Sequence, residues 1–373
     1  MGNGTNAINI TEKQIQVSNQ NQVQSNNQNQ HVQSASNAQA VTQNPGSEKM
    51  SPNDVFPTLL AHLGDHRQIS FFNVKITQLP VIVYDKKEGL HAYSSTSSML
   101  NQKLFTMQVN KHKEYEPPIR RVSDNQPVTL DMSITSLVLY EWIAIVVLLA
   151  VFAWVGRKYK KNPTKAPSGF QNVLEALVVY VKDEVVMPNV GTERAAKTLL
   201  PYFIGLFCFI LFCNAFGLLP GGIPSTSAIA VTGGLAIIAY FVINFTAIRE
   251  AGIGSWLKHL LGGAPIALAP IMIPIEIISM FVKPFALTIR LFANMTAGHV
   301  VLLSLVGLIF FFKITSGVAV GAAISPVSVG FSVFMYFLEL LVAVLQAYIF
   351  TILTAVFVGL AIGEHAHEHA AEH

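Results

Sequence analysis

The chain has 373 residues, of which 51% are hydrophobic and 12% are charged, and its formal net charge is +3. Because soluble domains contain about 25% charged residues, this composition excludes a single soluble globule. The small net charge and the lack of a basic patch with interleaved aromatic residues give no support to nucleic-acid binding. The phosphate-loop motif GxxxxGK(S/T) and the zinc motif HExxH are absent from the sequence. We therefore expect no cofactor and no metal, and any nucleotide chemistry falls to another subunit.

The two ends of the chain are rich in polar residues. Residues 1–50 consist largely of Asn, Gln and Ser and offer too little apolar area to offset ordering entropy, so we predict disorder. They contain no basic segment followed by an apolar one, and no cleavable signal peptide is predicted. Residues 364–373 are rich in His and Glu and could bind a transition metal, but a solvated terminus is the preferred interpretation.

Residues 51–128 mix polar and apolar residues and predict a small soluble α+β domain outside the membrane. Within it, His62 and His66 flank Asp65 at i, i+4 spacing, which could present two ligands to a metal. An exposed polar helix face is the preferred interpretation of that spacing. Alternating polarity predicts strands at Ile69–Thr77 and Leu79–Tyr84.

Residues 129–363 form a predicted membrane domain. Three segments are long enough to cross a hydrocarbon core of about 30 Å, at about 134–155, 199–219 and 228–248. The first is followed by five basic residues, which the positive-inside rule assigns to the cytoplasm: Arg157, Lys158, Lys160, Lys161 and Lys165. This orientation puts the N-terminal domain outside and the C-terminus in the cytoplasm. Residues 168–190 are amphipathic and predict a helix on the cytoplasmic surface.

Two further apolar segments are too long for simple spans. Residues 265–312 and 326–362 would measure about 70 Å and about 55 Å as helices, against a core of about 30 Å. Both must tilt steeply or lie partly along the membrane plane. The chain is therefore predicted to be an all-α polytopic membrane protein with about five membrane-embedded helices, two of them long and tilted.

Ionisable residues at membrane depth are costly and by default mark an ion path. On the first long helix, Glu276, Lys283 and Arg290 are seven residues apart and share one face. Asn294 stays with the Arg290 face, whereas His299 falls on the opposite face.

The second long helix carries Glu339 and Gln346, which are also seven residues apart and share a face. If the two long helices are antiparallel, Arg290 with Gln346 and His299 with Glu339 become plausible pairs.

The residue types predict a specific chemistry. Glu and His can carry and release protons, whereas Arg cannot be deprotonated. A row of titratable groups interrupted by Arg290 is therefore a proton path with a block, which is useful only if the proton leaves on a partner carboxylate. That carboxylate would be neutral towards lipid and ionised beside Arg290. In the alternative, Glu276 and Lys283 form a structural interhelical ion pair and Arg290 caps a carbonyl.

Two runs carry a specific resemblance. KPFALTIRLFANMTAGHV (Lys283–Val300) and LELLVAVLQAYIFTILTAVF (Leu338–Phe357) resemble the stationary a subunit of F-type ATP synthases. CNAFGLLPG (Cys213–Gly221) and STSAIAVTGGLA (Ser225–Ala236) are also similar to that family, and the resemblance covers about residues 130–363. LPVIVYDKKEGLH (Leu79–His91) resembles the extra N-terminal domain of a bacterial subgroup.

The resemblance implies roles for individual residues. Arg290 matches the arginine that faces the ring of c subunits and separates two aqueous half-channels. His299 and Glu339 match a pair that many members carry in the exchanged order. The remaining matches are two polar partners near the arginine, an acid near one channel mouth and a lysine of less defined role: Asn294, Gln346, Glu276 and Lys283.

The expected function is therefore ion translocation coupled to rotation in a bacterial inner membrane. The expected partners are the c ring, peripheral-stalk b subunits, the rest of the F-type ATP synthase and the lipid bilayer. One alternative is a secondary transporter or ion channel that uses Arg290 without a rotor, although no internal repeat is evident. Another is a structural membrane anchor in which the buried charges are incidental ion pairs.

Overall fold

The computed structural model describes residues 52–61, 64–71, 74–107, 118–161, 166–219, 222, 224–254, 256 and 268–363. The predictions made for the two termini, residues 1–50 and 364–373, lie outside the described residues, as does His62.

A small α+β domain precedes the membrane helices. Its two helices are α1 (Val55–Ala61) and α2 (Thr96–Asn101). Its strands are β1 (Gln68–Phe71), β2 (Val74–Gln78), β3 (Val81–Asp85), β4 (Gly89–Tyr93), β5 (Phe105–Met107), β6 (Ile119–Arg121) and β7 (Leu130–Asp131). They pair antiparallel as β1–β2, β4–β3–β7 and β5–β6. The prediction of one strand over Ile69–Thr77 was wrong, because that range contains parts of two strands, β1 and β2, which pair antiparallel.

The domain has its own apolar core. Val81 and Val83 alternate along β3 and are fully buried, as the twofold period of a strand dictates. They pack with Tyr93, Met99 and Phe105 from the neighbouring elements. This core confirms the predicted α+β appendage.

A buried carboxylate closes the β3–β4 hairpin. Asp85 accepts hydrogen bonds from the backbone N–H groups of Lys87 and Glu88, at 3.0 Å and 3.4 Å. It also accepts from Arg121 Nη1 at 2.6 Å and from Thr129 Oγ1 at 3.1 Å. Burial raises the pKa of Asp85, but these donors outweigh it and hold the pKa well below its usual range.

In the described part of the chain, five helices are long and apolar enough to cross a membrane. They are α3 (Ser136–Lys161), α5 (Glu193–Gly217), α6 (Ile229–Ala251), α7 (Ala269–Ser316) and α8 (Val318–Gly363). The shorter α4 (Phe170–Tyr180) continues into a π-helical turn, Val181–Val186, and is not among them. This architecture confirms the predicted all-α membrane fold.

Helices α7 and α8 form one long hairpin. They contain 48 and 46 residues, or about 70 Å each, and Gly317 joins them at φ +95°, where a side chain would be strained. The prediction that the second helix begins at Pro326 was wrong, since α8 begins at Val318 and carries Pro326 inside. Pro326 leaves only the Ala322 carbonyl without its helical donor, and the apolar run before it can continue the helix.

The membrane core is centred on α5. Phe203 and Ile210 of α5 are fully buried, and they share one apolar cluster with Leu291 of α7 and Val358 of α8. Thr192 caps the start of α5 by accepting a hydrogen bond from the Ala195 N–H, so the helix begins six residues before the predicted span. The π-helical turn adds Val185 to the same cluster, which ties α4 to the membrane domain.

The N-terminal domain contacts the membrane helices directly. The rings of Phe56 in α1 and Phe311 in α7 lie 6.0 Å apart. The His66 carbonyl accepts a hydrogen bond from the Ser136 N–H at the start of α3, at 2.7 Å. His66 is buried and lies outside α1, so the preferred interpretation of an exposed helix face was wrong at this residue, because the start of α3 covers it. Among the described residues, no three His, Cys, Asp or Glu side chains gather as a metal site.

Candidate functional site

A histidine and a glutamate meet between the two long helices. His299 of α7 places Nδ1 against Oε1 of Glu339 in α8, and its Nε2 lies 3.2 Å from the Gly217 carbonyl oxygen. Glu339 is 4% exposed. A carbonyl oxygen only accepts, so Nε2 carries a hydrogen. The contact between Nδ1 and Oε1 then needs one proton, held by the imidazolium or by the carboxyl group. The pair is thus a buried proton-holding unit.

The close approach of this pair depends on the residue before the histidine. A Cβ atom placed on Gly298 would lie 2.8 Å from Glu339 Oε1. The missing side chain therefore leaves room for the carboxylate beside α7.

Polar groups that reasoning from the sequence did not select surround the pair. Asn214 of α5 is fully buried; its Nδ2 donates to the Ala343 carbonyl at 3.1 Å, and its Oδ1 accepts from Thr226 Oγ1 at 2.5 Å. The Tyr336 hydroxyl donates to the Leu218 carbonyl at 2.9 Å. The end of α5 and the 3₁₀ turn Ser225–Ser227 thus bring polar atoms to the α7–α8 hairpin.

Arg290 lies in a different environment. It is exposed, and its guanidinium makes no ion pair or hydrogen bond with any described residue. Asn294, one turn further along α7, is exposed too. Both long helices expose large apolar side chains around this level, such as Phe285 and Leu345. An unpaired cation on an apolar membrane surface is costly, and the described residues supply no anionic partner for it.

The hairpin is antiparallel, as the His299–Glu339 contact and the ring of Phe357 5.8 Å from Lys283 Nζ both require. This register brings Gln346 level with Arg290. However, Gln346 is 3% exposed while Arg290 is exposed, and within the described chain no hydrogen bond joins them. Of the two pairs expected from the sequence, the structure brings together only His299 and Glu339.

Glu276 lines a cavity between α6 and the long hairpin. The cavity walls include Tyr240, Asn244, Trp256, Lys283, Pro284 and Phe357. Trp256 Nε1 donates to Asn244 Oδ1 at 3.2 Å, which orients two polar groups beside the acid. The structure contains no ion pair between Glu276 and Lys283 among its described residues, so the cavity keeps a carboxyl group available.

Known proteins match this chain over its membrane domain. The family model for the ATP synthase A chain matches residues 138–359. The chain belongs to the ATP synthase A chain family. ATP synthase subunit a of Chloroherpeton thalassium is 46% identical over 249 residues, which cover 65% of this chain and 72% of that protein. ATP synthase subunit a of Myxococcus xanthus is 42% identical over 248 residues, or 65% of this chain and 78% of that protein.

As a member of the ATP synthase A chain family, the protein is a multi-pass membrane subunit of an ATP synthase. The matched range contains both long-helix motifs, Arg290 and the five residues predicted for the proton path. The strands of the N-terminal domain lie before the matched range.

Two polar residues in the range matched to the ATP synthase A chain were missed in the sequence. Asn214 stands inside the CNAFGLLPG run, and its signal was an amide within a predicted span. Glu141 is a carboxylate inside the first predicted span, where the same rule would have selected it.

Proposed function

We propose that the chain is the stationary proton-channel subunit of a rotary F-type ATP synthase. In this proposal it provides two aqueous half-channels that pass protons to and from carboxylates on a ring of c subunits. Arg290 separates the half-channels and couples proton flow to rotation. The observation that carries the proposal is the exposed Arg290, unpaired within the described chain, on the same helix as the buried His299–Glu339 pair.

The arginine acts on the charge state of the partner carboxylate. A protonated carboxyl group is neutral and can face lipid, whereas an ionised one is stable only beside a cation. As a ring carboxyl approaches Arg290, the permanent positive charge favours loss of its proton. The guanidinium cannot accept that proton, so protons cannot pass along this helix from one half-channel to the other.

Titratable groups on both sides of Arg290 support two separate paths. His299 is nine residues from Arg290, about 14 Å along α7, and forms the proton-holding pair with Glu339. Glu276 is fourteen residues away in the other direction, about 21 Å, and lines the cavity with Asn244. In the proposed mechanism the first group serves one half-channel and the second serves the other. Asn294 and Gln346 are proposed as polar partners near the arginine.

We place the subunit in a bacterial inner membrane, with the N-terminal domain outside and the C-terminus in the cytoplasm. The basic end of α3, which includes Lys158, Lys160 and Lys161, supports this orientation. The proposed partners are the c ring on the Arg290 face and b subunits of the peripheral stalk.

The test is ATP-driven acidification of inverted membrane vesicles that contain the assembled complex. We expect Arg290→Ala to abolish acidification at unchanged subunit abundance. Lys313→Ala is a matched control, because it removes an exposed cation near the far end of the same helix. Acidification that persists in R290A would overturn the proposed function.

A further inference from the structure

Glu141 lies on the inward face of the first membrane helix. Its neighbours on that face, Leu137 and Ala144, are buried, and Leu148 and Phe152 further along pack against the apolar core. The spacing of four and three residues puts Glu141 on the same side of α3. A carboxyl group at this depth is costly, so packing alone does not explain it.

The Glu141 carboxyl group has one oxygen atom without a hydrogen-bond partner among the described residues. That atom, Oε1, is sealed from solvent. Most buried polar atoms are hydrogen-bonded, and an exception calls for a functional reason. Glu141 is not a member of the His299–Glu339 pair, and the proposed mechanism above does not use it.

Towards the N-terminal domain, Glu141 is within electrostatic range of Asp65. Asp65 is exposed, and its Oδ1 accepts from the Leu137 N–H at 3.4 Å and from Ser136 Oγ at 3.5 Å. Leu137 precedes Glu141 by one helical turn, about 6 Å. The exposed carboxylate of Asp65 thus lies about one helical turn from the partly buried carboxyl group of Glu141.

Towards the interior, Cys213 of α5 is within electrostatic range of Glu141. One turn further along α5, the Gly217 carbonyl contacts Nε2 of His299. The same short stretch of α5 therefore faces Glu141 at one turn and the proton-holding pair at the next. Asn214, which lies between Cys213 and Gly217 in the sequence, adds a buried amide to this stretch.

We infer that Glu141 is a relay carboxyl of the half-channel on the side of the N-terminal domain. The inference rests on the proposed proton-channel function. Its carboxylate takes a proton from water that reaches Asp65, becomes a neutral acid, and releases that proton to water leading to the His299–Glu339 pair. One O–H bond forms and later breaks, so each cycle moves one proton and returns Glu141 to its starting state.

A relay and a structural role predict opposite orders for two substitutions. Glu141→Gln keeps the size and hydrogen-bonding capacity of the side chain but cannot titrate, whereas Glu141→Asp still titrates on a shorter stem. A relay tolerates aspartate better than glutamine, and a packed hydrogen-bonding residue tolerates glutamine better than aspartate.

The experiment measures ATP synthesis driven by an imposed pH gradient in vesicles, normalised to assembled complex. We expect E141Q to lower the rate by about a hundredfold, the low end of a typical proton-transfer contribution, and E141D to keep at least half of the wild-type rate. Glu184→Gln, which removes an exposed carboxyl elsewhere, serves as the control and should match wild type.

An E141Q rate equal to wild type, with R290A inactive, would overturn the relay and leave the proposed function intact. Activity in R290A would instead overturn the proposed function. If E141Q fails to assemble, E141D decides: a rate of at least half the wild-type value supports the relay, and a lower rate overturns it.

Discussion

His299 and Glu339 meet across the α7–α8 hairpin, with Nδ1 against Oε1, while His299 Nε2 lies 3.2 Å from the Gly217 carbonyl oxygen. The carbonyl fixes which ring nitrogen carries hydrogen, so the other nitrogen and the carboxyl group share one proton. In the proposed mechanism, this pair accepts a proton from one side and releases it to the other.

Exchanging the two residues should preserve this unit. We expect His299→Glu and Glu339→His each to lower gradient-driven ATP synthesis by about tenfold, because each single variant pairs two like groups. The double exchange again holds one acid and one imidazole and should recover much of the rate. The measurement is a double-mutant cycle on assembled complexes. A double variant slower than both single variants would contradict the pairing.

Gly298→Ala should disturb the same pair by volume alone. The new Cβ would lie 2.8 Å from Glu339 Oε1, so the carboxylate must move away from His299. We expect proton-driven ATP synthesis to fall by about fivefold to tenfold while the complex still assembles. Gly234→Ala in α6 is the matched control, because no atom of the described residues would lie within 4 Å of the added Cβ. Equal rates of ATP synthesis in the two variants would contradict the view that His299 and Glu339 must lie in close contact.

Asn214→Ala should destabilise the membrane domain. It leaves the Ala343 carbonyl and the Thr226 hydroxyl without their buried partner, and losing a buried hydrogen-bond partner costs about 1–3 kcal/mol. The check is thermal unfolding of the purified complex, with Asn172→Ala at an exposed position of α4 as the control. Surface substitutions of this kind change stability by about 0.5 kcal/mol or less. A N214A complex as stable as the control would contradict the network.

The N-terminal domain should lose stability in acid. The Lys87 and Arg121 side chains lower the pKa of Asp124 to about 2, and the pKa of Asp85 is also depressed. A carboxyl whose pKa is lower folded than unfolded stabilises the fold above its unfolded value, about 3.9, and loses that effect as pH falls.

We therefore expect hydrogen-exchange protection of β3 and β4 to weaken between about pH 4 and pH 2. Asp85→Asn should weaken protection at neutral pH and flatten this dependence. Unchanged protection of the wild type across this range would contradict the assignment.

The membrane fold was predictable from the sequence, because the length of the apolar segments and the spacing of their apolar residues are compatible with few other folds. The α7–α8 hairpin was predictable in outline, since two uninterrupted apolar runs of that length cannot be simple spans. The start of α8 was not predictable. A proline usually ends a helix, yet Pro326 is tolerated inside this packed membrane hairpin. The burial of His66 was also missed, since it depends on α3, which begins 70 residues later.

The candidate site was predictable only in part. Residue spacing was enough to suggest that His299 meets Glu339, because facing residues on antiparallel helices pair in order. It could not show that Gln346 is buried while Arg290 at the same level is exposed, since this depends on how each helix is rotated about its axis. Asn214 acquires its partners only when α5 and α8 pack together.

The central claim is that Arg290 separates two proton paths, and passive proton permeability tests it most directly. Inverted vesicles with assembled membrane sectors, stripped of the ATP-hydrolysing sector, would be given a pH gradient and followed as it decays. The account predicts that Arg290→Ala speeds this decay several-fold over wild type and over Lys313→Ala, because the two half-channels then communicate. A decay rate in R290A equal to wild type, together with retained ATP-driven acidification before stripping, would contradict it.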